Sequence, residues 1–119
     1  MDNKEFGKLL EVRTKKFAMD VIELSALMAN TTENRVIKNQ VTKSGTSIGA
    51  NYREANRSRS KPDFGNKISI CESECSETGY WLEIIDEMNW VEKQKLDPIL
   101  NETNELLAIF TSIGKNLKR

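Results

Sequence analysis

Cys71 and Cys75 stand four residues apart, one turn of a helix, and are the only thiols in the chain. On one helix face, two thiolates can touch a single metal ion. A tetrahedral zinc site needs two further ligands, and nothing else in the sequence stands at zinc-site spacing. The chain contains no histidine, so the commonest general base and a leading metal ligand are both missing. Carboxylates crowd the same stretch: Glu72, Glu74, Glu77, Glu83, Asp86 and Glu87. Glu83 and Glu87 have the spacing of a di-metal helix, but such bundles also use inward-facing Glu-x-x-His pairs. The cysteines therefore read as small buried packing residues, and the acids as a solvated or partner-facing surface.

Two short motifs carry no chemistry. Ser58-Arg59-Ser60-Lys61 has the letters of a serine acylase motif without its companion motifs or its large fold. Lys43-Ser44-Gly45 holds phosphate-loop letters in the wrong order and lacks the first glycine. No catalytic or metal-binding residue is assigned, and neither a cofactor nor a small-molecule substrate is expected. The usable constellation is basic: Arg53, Arg57, Arg59, Lys61 and Lys67 gather around one predicted turn, with Tyr52 beside them. Arginines next to a stackable ring form a nucleic-acid surface. The alternatives are a solvated turn or a salt-bridged contact with acidic helices.

Four amphipathic segments must position these residues. In the first, about Phe6 to Met28, Leu10, Thr14, Phe17, Val21, Leu24 and Met28 recur at helical spacing, with Ala18, Ile22 and Leu27 widening the stripe. Asn30 with Glu33, or Thr31 or Thr32 alone, caps the next helix. That second segment runs from about Glu33 to Arg57, with Ile37, Val41, Ser44, Ile48, Tyr52 and Ala55 on one face. Gly45 and Gly49 each cost about 1 kcal/mol of helix propensity. The apolar period nevertheless continues through them, and small residues permit close helix approach. The third segment opens with Ser60 as cap and Pro62 in the first turn, then runs to about Val91. Phe64, Ile68, Cys71, Cys75, Thr78, Leu82 and Ile85 form its seam, with Trp81, Ile84 and Met88 alongside. The fourth opens on Asp97-Pro98 and repeats the spacing at Ile99, Thr103, Leu106, Phe110, Ile113 and Leu117. Its basic tail, Lys115, Lys118 and Arg119, suits a helix C-terminus.

Short breaks between four such helices predict an all-α, antiparallel up-down-up-down four-helix bundle forming a single domain over residues 1–119. Its core should include Val21, Ile48, Phe64, Ile68, Cys71, Cys75, Leu82 and Phe110. An apolar fraction of 38% beside 30% charged residues suits helices that each bury one stripe. The N-terminal stretch is charged throughout, and no apolar run approaches membrane length, so a cytoplasmic protein without membrane contact is expected. The Asn-x-Ser/Thr triplets at Asn30, Asn56 and Asn101 are then chance matches. Net charge is zero, yet the charges are sorted along the chain. Between Arg35 and Lys67 there are eight Lys/Arg against Glu54 and Asp63, whereas between Glu72 and Glu105 ten acids face Lys93 and Lys95. A basic surface on the second helix can meet an acidic one on the third or fourth helix of a neighbour. Such a contact uses two different patches and closes as a ring or runs on as a fibre.

The stretches SGTSIGANYREANRSRSKPDFGNKI and SECSETGYWLEII, with VRTKKFAMDVIEL and NRVIKNQVTKSGTSIGAN before them, resemble the proteins named for intervening sequences in bacterial 23S ribosomal RNA genes. The resemblance covers roughly residues 8 to 90. It implies a bacterial four-helix bundle that assembles as a ring-shaped homopentamer. It also implies kinship with the accessory protein of diversity-generating retroelements, a basic pentamer that binds nucleic acid and a reverse transcriptase. It supplies no catalytic residues. Two functions are expected from these readings. One is a non-enzymatic, oligomeric accessory protein that binds RNA or DNA through the five basic residues above. The other is a protein-interaction scaffold whose charged faces serve assembly.

Overall fold

Asp2, Thr31 and Ser60 each precede a helix and take up its free amides. Their side-chain oxygens accept from Glu5 N (2.8 Å), Asn34 N (3.1 Å) and Asp63 N (3.2 Å). In the computed structural model, which describes residues 1–118, they open α1 (Asn3–Ala26), α2 (Thr32–Asn56) and α3 (Lys61–Glu87); α4 is Lys93–Leu117. Arg119 lies outside the described residues. No strand occurs among them. Consecutive helices pack antiparallel, and α4 returns beside α1 along a shorter seam. The bundle measures 44 × 25 × 21 Å.

The core follows the expected stripes. Val21, Ile48, Cys71, Cys75, Leu82 and Phe110 are fully buried, and Ile68 nearly so. Phe64 is only half-buried, because it sits in the first turn of α3 at the open end of the bundle. On α1 the main stripe is buried, but Ile22 and Leu27 are exposed, as is Met88 after α3. The glycines of α2 do what small residues permit. A Cβ on Gly45 would lie 3.0 Å from Val21 Cγ1, and one on Gly49 would lie 3.3 Å from the backbone carbonyl carbon of Thr14. Between α2 and α3, Thr78 Oγ1 donates to Glu74 O (2.7 Å) and shares a hydrogen bond with Ser44 Oγ (2.9 Å). The thiol of Cys71 donates to Ile48 O at 3.5 Å.

The first helix begins and ends two to three residues earlier than the expected Phe6 to Met28, and two further boundaries differ by about a turn. First, α3 ends at Glu87, not Val91. Asn89 takes φ 55°, its N–H bonds Asp86 O, and the N–H of Trp90 bonds Ile85 O. This is a Schellman motif with asparagine in the left-handed position that glycine usually fills. Second, α4 begins at Lys93, with Pro98 inside it, and not at an Asp97 cap. The reason is Leu96, which is fully buried and extends the α4 stripe one turn upstream of Ile99. Burying a leucine contributes about 1.5–3 kcal/mol, comparable to the roughly 3 kcal/mol cost of an interior proline. Pairs from Lys93 to Asp86 and Asp97, both 3.6 Å, tie the added turn down.

Candidate nucleic-acid interface

Antiparallel topology converts charge sorted along the chain into charge sorted along the bundle axis. One end collects the start of α1, the end of α2, the start of α3 and the end of α4. Its charges are Lys4, Lys8, Arg53, Arg57, Arg59, Lys61, Lys67, Lys115 and Lys118 against Asp2, Glu5, Glu11, Glu54 and Asp63. The other end holds Asp20, Glu23, Glu33, Glu83, Asp86, Glu87, Glu92 and Asp97 against Arg35, Lys38, Lys93 and Lys95.

The five basic residues singled out from the sequence divide in two. Arg53 pairs with Glu11 across α1–α2 (3.6 Å), and Lys67 pairs with Glu54 across α2–α3 (3.2 Å). These two are partly spent on holding the bundle. Arg57, Arg59 and Lys61 are exposed on the α2–α3 turn and make no ion pair among the described residues. Tyr52 is 2% exposed, so its ring is a core ring, not a free stacking platform. It meets Phe110 edge to face at 5.5 Å between centroids. Burial holds its phenol above the ordinary value, opposed by a hydrogen bond from Asn56.

Lys115 and Lys118 join the cluster, although in sequence they read only as a helix terminus. They line a groove between α3 and α4 together with Lys61, Asn66 and Ser69, and with Glu72, whose carboxylate accepts from Thr111 Oγ1 at 2.6 Å. The groove opens where Gly65 and Gly114 carry no side chain; a Cβ on Gly114 would meet nothing within 4 Å. The signal that could have found these lysines is topological: in an up-down-up-down bundle, the end of α4 lies beside the start of α3. The set Arg57, Arg59, Lys61, Lys115 and Lys118 thus presents ammonium and guanidinium groups to solvent at one end, a geometry suited to phosphates.

Elsewhere the geometry gives less to chemistry. Among the described residues no group of three or more His, Cys, Asp or Glu is placed to hold a metal ion. Burial pushes the Cys71 thiol up to about 12 and the Cys75 thiol higher still, so neither is a ready nucleophile. No helix of the described residues is long and apolar enough to cross a membrane. Two outward faces carry exposed apolar side chains: Leu9, Val12 and Met19 on α1, and Ile70 and Tyr80 on α3 with Met88 just after it.

Fold and site together define a helical bundle with a polar axis, basic at one end and acidic at the other. Residues 10–112 match the 23S rRNA-intervening sequence protein family, and the chain belongs to it. It is also similar to a solved structure from Bacteroides thetaiotaomicron VPI-5482, a protein of unknown function from the S23 ribosomal protein family. The two share 34% identity over 88% of this chain and 97% of the other, with a TM-score of 0.81. No curated protein matches the chain.

Proposed function

We propose that this chain is a non-enzymatic, cytoplasmic, RNA-binding accessory protein, acting as a closed homo-oligomer through the basic end of each bundle. The supporting observation is the set of exposed cations that make no ion pair among the described residues, Arg57, Arg59, Lys61, Lys115 and Lys118, collected at one end while acids dominate the other. Side-by-side subunits in a ring bring these ends onto one face, and repetition multiplies a weak patch through avidity. Five subunits follow from the family resemblance.

Contacts between subunits draw on the apolar faces of α1 and α3. These helices do not pack against each other in the bundle, so their outward faces point to opposite sides. Two different patches on opposite sides make head-to-tail contacts. The same faces favour a second reading, a scaffold that binds a protein partner there.

Filter binding of single-stranded RNA, paired with light scattering, separates the two. RNA binding should fall steeply with salt, with a log–log slope of roughly 0.7 per phosphate neutralised. Arg57→Ala/Arg59→Ala should weaken binding equally for all sequences, since phosphate contacts carry no base information. The scaffold reading expects an altered oligomer size and no RNA dependence in that variant. An intact oligomer that binds no RNA at about 50 mM salt overturns the RNA reading.

A further inference from the structure

A second groove lies at the same end of the molecule, where α1 and α4 stand apart. Its volume is about 800 Å³, inside the range of small-molecule clefts (about 300–1,000 Å³). Its lining carries no charged side chain. The polar groups are carboxamides from three helices, Asn3, Asn56 and Asn116, with the hydroxyl of Ser112. The rings open to a ligand are Phe6 and the half-buried Phe64, the Tyr52 ring being packed in the core. Each carboxamide has a cation as its immediate chain neighbour: Lys4, Arg57 and Lys115. Leu117 lines both this groove and the lysine-lined one, so the last turn of α4 separates the two.

The asparagine on α2 is already oriented. Asn56 Nδ2 donates to Glu11 Oε2 at 2.9 Å, which fixes the flip of the amide because a carboxylate only accepts. Its carbonyl oxygen accepts no hydrogen bond among the described residues. Gly7 is buried beside it and leaves room: a Cβ there would stand 3.4 Å from Asn56 Nδ2. Phe6, 40% exposed, offers a ring at the mouth.

We infer that this groove receives one unstacked nucleobase of a bound single strand, its flanking phosphates reaching the cations gathered at the same end of the bundle, Lys115 in the adjoining groove among them. This rests on the RNA-binding reading and deepens it. A carboxamide presents a donor and an acceptor side by side, the complement of a base edge, and aromatic rings supply stacking for any base. The neutral lining suits a base, which is uncharged. The cations elsewhere on the same end suit phosphates, which are charged.

The test compares an RNA oligonucleotide with an abasic one of the same length and backbone, at one salt concentration. The wild-type oligomer should bind the natural strand about ten-fold more tightly. Asn116→Leu and Phe6→Ala, both at solvent-accessible positions, should each bring that ratio close to one; circular dichroism confirms that they fold. Arg57→Ala/Arg59→Ala should weaken both strands and keep the ratio. A wild-type ratio near one, or a ratio unmoved by both groove variants, overturns the base groove while RNA binding stands. A change of oligomer size in Asn116→Leu also overturns it, because the groove would then be a subunit contact. Loss of all binding to both strands in the wild type sinks the underlying RNA reading instead.

Discussion

Helix α1 has two neighbours and meets them in different ways. Against α2 it lies close, because Gly45 and Gly49 let Val21 and Thr14 approach the α2 backbone. Against α4 it stands off. There Arg13 bridges the gap to Glu102 through two bonds of 2.6 Å, with Glu105 at 3.6 Å, and the uncharged groove opens toward the end of the bundle. The close seam spends helix propensity, about 1 kcal/mol for each glycine, and recovers it as dispersion between touching atoms. The open seam keeps its ends accessible to other molecules. Recognition surfaces belong where packing is incomplete, since a filled seam has nothing left to offer.

The closed side of this comparison extends to α2–α3, where Cys71 and Cys75 are fully buried. The largest expected effect is there: a thiol reagent should modify the native protein at least about 100-fold more slowly than the urea-unfolded chain. Rapid labelling would mean that the seam is not closed. The same burial links stability to pH. The folded-state value of Cys71 is raised from 9.0 to about 12, so its contribution is intact below pH 9 and is lost as pH rises toward 12. Denaturant midpoints should therefore fall from about pH 9 upward, less so in Cys71→Ala/Cys75→Ala.

Filling the close seam is the next largest change. Gly45→Leu should cost about 3 kcal/mol in urea unfolding, because Val21 already sits within 3.0 Å of the position of the first added atom. A pair of smaller substitutions sharpens the contrast through its sign. Gly49→Ala should destabilise by about 1 kcal/mol, since its new methyl meets the α1 backbone, which cannot step aside. Gly114→Ala, with open space around it, should stabilise by up to about 1 kcal/mol through helix propensity alone. Equal effects at the two glycines would erase the distinction between the filled α1–α2 seam and the open groove between α3 and α4. Smallest of all, Arg13→Met at the open seam should cost no more than about 1 kcal/mol, and less in high salt. A double-mutant cycle with Glu102→Gln measures that pair directly.

Periodicity made the helices legible, down to Ser44 and Thr78 as buried polar members of apolar stripes. Local chemistry misled at both ends of the α3–α4 connection. Asp97-Pro98 has the form of a helix start, but the tertiary burial of Leu96 outweighs it. Asn89 stopped α3 by a left-handed turn that apolar spacing does not encode. Exposure was less readable than burial: Ile22, Leu27 and Met88 lie on the flanks of their stripes, where the width of the contact decides. The basic turn was visible as a run of residues. Its union with Lys115 and Lys118 was not, because that neighbourhood exists only after the chain has reversed three times.

The length of the bundle changes what its neutrality means. In physiological salt a charge is felt over about 8 Å, the Debye length, whereas the bundle is 44 Å long. A phosphate arriving at the basic end is several screening lengths from the acids at the far end and does not register them. Approaching from the side, it meets a balanced surface with little pull. The molecule thus behaves as two oppositely charged objects on a rigid rod. Encounter with a polyanion is then a matter of orientation, and lowering the ionic strength lengthens the reach of both ends together, so that the far acids begin to oppose the near cations.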